Sequence, residues 1–261
     1  MAEHLTTLID GFVHESKDAF EDDFYNDCFR FYCFSDMLRL YATYWYEVSC
    51  GNYRQSWDTL QDTINCLKAL KKFSSFNKTV IFSFLEIQLQ GLERLYPYRI
   101  FASAEWLIEE AGCSICGKSI NSFDCPHIVG ELYRGKMACA IMTKCQALGI
   151  ALTEHPADKK CVTESVDGEK LSFTGVEYLQ KQLASVHPFR ISHVIEMTQD
   201  TFNKSNGIEE FSMCPCGSRK NYKNCCLGKD RKIKHARIVL HHTSGLIVDD
   251  LVRLRQDNNK N

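Results

Sequence analysis

Cys214-Pro215-Cys216-Gly217-Ser218, continued by Tyr222 and the adjacent pair Cys225-Cys226, is a stretch too short to bury a core of its own. Its shape must therefore come from its thiols, four within thirteen residues in a C-x-C-x8-C-C pattern. Four sulfurs at this spacing can converge on one tetrahedral zinc ion. Pro215 stiffens the first pair, and Gly217 permits a backbone turn that a side chain would obstruct. Ser218 can bond back to nearby backbone, and Tyr222 offers a ring to cover the site. The competing reading is a set of disulfides or unrelated buried thiols. Vicinal Cys225 and Cys226 cannot easily bridge each other, because the intervening peptide would be strained. With all four positions filled by protein, such a zinc is structural and leaves no position for water or substrate.

The same pattern resembles the SEC-C motif, the zinc-binding tail of the SecA translocation ATPase that recurs in otherwise unrelated bacterial proteins, over residues 212 to 228. The family ends in Cys-His or Cys-Cys, and this chain carries the Cys-Cys form. The resemblance implies a metal site and a bacterial adaptor, with the SecB chaperone or the ribosome as partner. It implies no reaction.

Upstream lies a second constellation. Cys113-Ser-Ile-Cys116-Gly117 has the form of a zinc knuckle, two thiolates bracketing a tight turn that the glycine relieves. Cys125-Pro126-His127 follows nine residues after Cys116 and completes a C-x2-C-x8-C-x-H ligand set. A redox Cys-x-x-Cys beside an unrelated Cys and His is the alternative, but the strand-to-helix setting of such a pair is missing. The segment CSICG…DCPHIVGELYRGK…EHPADKKC also resembles a cysteine-rich stretch of uncharacterised bacterial and phage proteins, over roughly residues 100 to 165. That resemblance implies a folded zinc-bearing β module. Cys139, Cys145 and Cys161 fall within it and read as lone buried thiols.

The surrounding chain has 261 residues, 44% hydrophobic and 25% charged, as expected of an ordinary soluble protein. No apolar run is long enough to span a bilayer, and the N-terminus lacks a basic segment followed by an apolar core. Fourteen cysteines in that context point to a reducing, cytoplasmic environment with thiols used for metal or simply buried. Net charge is −2, yet charge is segregated. Residues 1 to 30 hold eight acids against Lys17 and Arg30, while residues 211 to 261 hold eleven Lys and Arg against four Asp, a formal balance of +7. The basic end suits RNA, the ribosome or an acidic partner, or docking on the acidic N-terminal region of the same fold.

The predicted fold class is α+β. Residues 1–98 form a helical region with helices over Asp18 to Val48, Ser56 to Phe73 and Lys78 to Leu95. In the first, Phe24, Cys28, Phe31, Leu38, Tyr41, Tyr44 and Trp45 recur at helical spacing; in the second, Trp57, Leu60, Ile64, Leu67 and Leu70 share a face. Residues 99–202 form the zinc-bearing α+β module, with strands over Arg99 to Ile108, Lys136 to Cys145, Gln146 to Thr153 and Phe189 to Met197. Gly168 marks a turn in this module, and a helix over Thr174 to Ser185 is capped by Thr174. Residues 203–209 read as a linker, 210–228 as the zinc module and 229–261 as a basic C-terminal segment.

No G-x-S-x-G, phosphate-cradling glycine loop or H-E-x-x-H is present, and His155 and the pair His241-His242 stand without visible catalytic partners. The first functional reading is a non-enzymatic adaptor bearing two structural zinc ions, whose SEC-C module docks a protein partner through Arg219, Lys220 and Lys223. The second is a nucleic-acid-associated protein of phage or defence origin, and the third an enzyme of unknown class. Oligomeric state is not encoded in any recognisable pattern.

Overall fold

The structure is a computed structural model that describes residues 22–74, 80–163, 165–166, 169–183, 191–202, 209–212, 214, 220–225, 227, 233–242, 245 and 247–253. Its class is α+β, with helices α1 (Asp22–Ser49), α2 (Tyr53–Phe73), α3 (Val80–Arg94) and α4 (Thr174–Leu183). The strands are β1 (Phe101–Cys113), β2 (Leu132–Tyr133), β3 (Lys136–Met137), β4 (Ala140–Thr153), β5 (Ser165–Val166), β6 (Glu169–Lys170), β7 (Ile191–Phe202), β8 (Ile233–His242) and β9 (Ile247–Arg253).

Two compact units result, and helices α1, α2 and α3 each give one portion to either unit. The first comprises residues up to Ala42, Gln61–Phe82 and Arg99–Thr163; the second comprises Thr43–Leu60, Ser83–Tyr98 and Glu164 onward. α1 runs without Gly or Pro and ends where Gly51 adopts φ +77, a left-handed turn that glycine adopts at little cost. Its buried stripe is Tyr25, Cys28, Met37, Tyr41, Tyr44, Trp45 and Val48. Phe31 and Leu38, expected on that stripe, are exposed instead, because Met37 and Val48 extend a face rotated slightly from the one read in the sequence. In α2, Trp57, Leu60, Leu67 and Leu70 are buried as expected, and Ile64 is half-buried.

In the first unit the dominant feature is an antiparallel ribbon of β1 and β4, paired from Phe101↔Thr153 to Cys113↔Ala140 with three register shifts. Here the sequence reading needs correction. The separate strands expected over Lys136 to Cys145 and Gln146 to Thr153 are one strand, Ala140–Thr153, with only Lys136–Met137 in the preceding β3. Bulges absorb the irregular stretch, so pairing with β1 carries through a point where the local pattern suggested a break. A further correction concerns the lone thiols. Cys145 and Cys161 are exposed and Cys139 is half-buried, since Cys145 lies on a ribbon open to solvent and Cys161 in the turn after it.

In the second unit Trp57 packs on Tyr96 and Tyr98, at 5.1 and 4.9 Å between ring centroids, and Tyr98 meets Phe173 at 5.8 Å. The buried Ser56 and Tyr96 hydroxyls bond at 2.7 Å, so this aromatic density is core. α4 begins with Glu177 N donating to the Phe173 carbonyl at 2.8 Å, and the hydroxyl of Thr174, the residue expected to cap the helix, pairs with that of Ser172 at 2.6 Å. The turn expected at Gly168 falls between the paired strands β5 and β6, but Gly168 itself lies outside the described residues. β7, β8 and β9 form an antiparallel sheet in that order, with Phe202 paired to Ile233 and Ile191 to His242. Residues 233–253, read from the sequence only as a basic segment, thus supply two of its strands.

Candidate metal centres

Both cysteine-rich segments are connections between paired strands. Residues 114–139 join β1 to β4, and residues 203–232 join β7 to β8. Connections this long need something besides a hydrophobic core to hold their shape. In the first connection four converging metal-ligand side chains can supply it.

The central site starts at Cys113, the last residue of β1, paired with Ala140 across the ribbon. The knuckle turns on three bonds: Gly117 N to Cys113 O at 2.9 Å, Cys113 N to Lys118 O at 2.8 Å, and Ile115 N to the Cys113 sulfur at 3.4 Å. Gly117 sits at φ +71, in the left-handed region that glycine adopts at little cost. Ser122 accepts from Cys125 N at 3.1 Å and brings the third thiol back to the knuckle.

Cys113, Cys116, Cys125 and His127 place all their ligand atoms within 4.8 Å of one another. The Cys116 and Cys125 sulfurs are 3.7 Å apart, and His127 Nδ1 lies 3.6 Å from the Cys113 sulfur and 4.0 Å from that of Cys125. A tetrahedral zinc, with its usual bond lengths of about 2.3 Å to sulfur and about 2.0 Å to nitrogen, requires S···S of about 3.8 Å and S···N of about 3.5 Å. The residues fit the ion. Buried Cys113 and half-buried Cys125 and His127 enclose the site, and Cys116 lies at its open side. Cys139 does not join them; its sulfur turns to the Met137 carbonyl at 3.6 Å.

Electrostatics within the cluster are uneven. Backbone hydrogen bonding from Cys116, then from Ile115, holds the Cys113 thiol below its ordinary range despite desolvation. At Cys125 the backbone of His127 lowers the pKa, but desolvation and hydrogen bonds with Cys116 and Cys113 outweigh it, so that thiol lies above the ordinary range. Such a set binds a cation by releasing protons.

Outside the ligand shell, the Tyr133 ring stands edge-on to His127 at 4.8 Å, and its hydroxyl accepts from Ile128 N at 2.9 Å. The loop then docks on α1: Gly135 N donates to Asn26 Oδ1 at 2.9 Å, and Arg134 lies 3.2 Å from Asp22 and over the Tyr25 ring. Lys72 Nζ donates to the Gly130 carbonyl from α2. Tyr133 belongs to a string that the sequence singled out. The docking contacts span 109 residues from Asn26 to Gly135, and no local pattern announces them.

In the second connection, Cys214 is buried and Cys225 half-buried; Cys216, Cys226 and Arg219 lie outside the described residues, as do Pro215, Gly217, Ser218 and the expected linker over 203–208. Cys214 N donates to Lys220 O at 2.8 Å, and Tyr222 N to Ser212 O at 2.9 Å. A single 3-10 turn, Tyr222–Asn224, delivers Cys225, whose N donates to Tyr222 O at 3.1 Å. Tyr222 is buried, as a ring covering the site would be. Lys220 and Lys223 are exposed. Lys223 pairs with Glu210 at 3.2 Å and stands 5.1 Å over the Phe211 ring, so that cation has a local partner. Among the described residues no helix is long and apolar enough to cross a membrane.

No curated protein and no solved structure matches the chain. Residues 212–228 match the SEC-C motif, and together with the Cys/His cluster of the β1–β4 connection this supports metal binding.

Proposed function

We propose that this protein is a non-enzymatic adaptor held in shape by two structural zinc ions, one bound by Cys113, Cys116, Cys125 and His127 and one by Cys214, Cys216, Cys225 and Cys226. The observation that carries the reading is the closed central set: four protein ligands at tetrahedral spacing leave no coordination position for a substrate. Metal used this way supports shape, and shape in a long inter-strand connection serves recognition.

The SEC-C module is then the docking element, displayed by the β7–β8 hairpin and anchored at both ends by its strands. Its resemblance to SecA-type tails suggests a chaperone of the SecB kind, or the ribosome, as partner. Arg219, Lys220 and Lys223 supply a positive knuckle suited to an acidic protein groove. The test uses Lys220→Glu in the full chain, with capture by purified SecB-like chaperone and by ribosomes as readout. Lost capture with an unchanged melting temperature supports the reading; retained capture with a lowered melting temperature assigns Lys220 to internal packing.

The balance of eleven Lys and Arg against four Asp beyond residue 210 favours a second reading, phosphate recognition in a nucleic acid. Salt distinguishes the two, because each phosphate contact releases counterions and steepens the loss of affinity with ionic strength. RNA binding that weakens at least tenfold between about 50 and 200 mM salt, with no chaperone or ribosomal-protein capture, would replace the adaptor reading.

A further inference from the structure

The β1–β4 ribbon sorts its side chains into two unlike faces. In an antiparallel pair, directly opposed residues point the same way and successive residues alternate. From Phe101 to Ile108 the alternation on β1 is unbroken, because the register shift after Glu105 is taken up by Leu148 on β4. One face therefore receives the pairs Ala102–Leu152, Ala104–Ile150, Trp106–Ala147 and Ile108–Cys145. No charged or amide side chain interrupts it. The other face carries Ser103, Glu105, Gln146 and Thr153 among its residues.

An amphipathic sheet normally buries its apolar face, and this one does not. Trp106 is 48% exposed, Ile108 53%, Ile150 77% and Leu152 69%. At those exposures the four side chains offer on the order of 500 Å² to water, and with the small residues beside them about 700 Å². That exceeds the patch of a typical monomer and approaches the roughly 800 Å² that one partner buries in a stable interface. At one margin Lys144 pairs with Glu109 at 2.5 Å.

The side-chain sizes identify the occupant. Every pair joins one small residue to one large residue, with the large ones on β4 at Leu152 and Ile150 and on β1 at Trp106 and Ile108. A two-fold axis running along the ribbon, between two such faces, superposes β1 of one copy on β4 of the other at the same level. Leu152 then meets Ala102 of the second copy, Ile150 meets Ala104, Trp106 meets Ala147, and Ile108 meets Cys145. Large residues oppose small ones throughout, which is how facing sheets interdigitate without voids or overlap. We propose that this face is the two-fold interface of a homodimer.

Sedimentation of the full chain tests it. Wild type should be a dimer at micromolar concentration, Ile150→Glu a monomer with an unchanged zinc content, and Leu107→Glu, on the opposite face, still a dimer. A monomeric wild type, or a dimer that persists in Ile150→Glu, overturns the proposal. Should Ile150→Glu fail to fold, wild type supplies the second measurement. Alkylation of Cys145, located by mass spectrometry, should slow severalfold as protein is concentrated, while exposed Cys50 reacts at a constant rate. Cys145 equally reactive at every concentration overturns the interface. Cys145 protected even in dilute monomer overturns it too, by assigning the cover to another segment of the same chain.

Discussion

Replacing Cys125 by serine should destabilise the first unit by about 3 kcal/mol and release one zinc. Ligation of Cys113 and His127 to one ion closes the chain between them into a loop, and Cys125 supplies its third thiol. In the chain-entropy account, closing about 15 residues is worth roughly 3 kcal/mol. Mass action gives a similar size, since zinc held at about 100 to 1,000 times its Kd stabilises by roughly 2.7 to 4.1 kcal/mol. The loss does not stay in the loop. The same segment holds the Gly135 bond to Asn26, the Arg134 contacts with Asp22 and Tyr25, and the Lys72 bond to Gly130. At a few degrees per kcal/mol for a body of this size, melting should fall by about 10 °C. Calorimetry paired with elemental analysis is the assay, and Cys214→Ser is the comparison. Among the described residues the backbone hydrogen bonds of the terminal module join residues within 209–227, so Cys214→Ser should remove one zinc while moving the main transition by less than about 3 °C. Equal losses for the two variants, or full zinc retention by Cys125→Ser, would refute this reasoning.

Protein purified without added metal should carry close to two equivalents of zinc, and one equivalent that disappears in Cys214→Ser would remove the central site from the proposal. Gly175→Ala should cost roughly 1 to 3 kcal/mol in a thermal melt, because a Cβ there would lie 2.5 Å from the Leu95 carbonyl oxygen, a backbone atom that cannot swing aside. Burial raises the carboxyl pKa of Glu47, against a hydrogen bond from Thr59 that lowers it. The folded protein therefore holds that proton to higher pH than the unfolded chain, and the contribution of Glu47 is full below the ordinary carboxyl pKa and is lost as pH rises through the folded one. Glu47→Gln should accordingly raise the melting temperature at neutral pH and flatten its decline between about pH 4 and 7; a less stable variant with the same slope contradicts the assignment. Zinc at the central site should be released on acidification, with apparent affinity falling as pH drops because the thiols and His127 must lose protons to bind.

Local chemistry was legible along the chain. The four-ligand spacing at 113–127 and the SEC-C pattern at 212–228 are short-range, and a ligand set within about 17 residues needs little from the rest of the fold. Helices α1, α2, α3 and α4 were visible for the same reason: periodicity, glycine stops and the break before Pro97 act within a few residues. Tertiary structure decided what depends on distant partners. That Ala140–Thr153 is one strand follows from its ladder with β1, about forty residues away, which tolerates bulges that local pattern reads as breaks. That the SEC-C segment is an insertion in a hairpin follows from pairing of Phe202 with Ile233. The face of the ribbon that stays apolar and uncovered emerges only once register fixes which residues oppose each other, since a shift of one residue exchanges the faces.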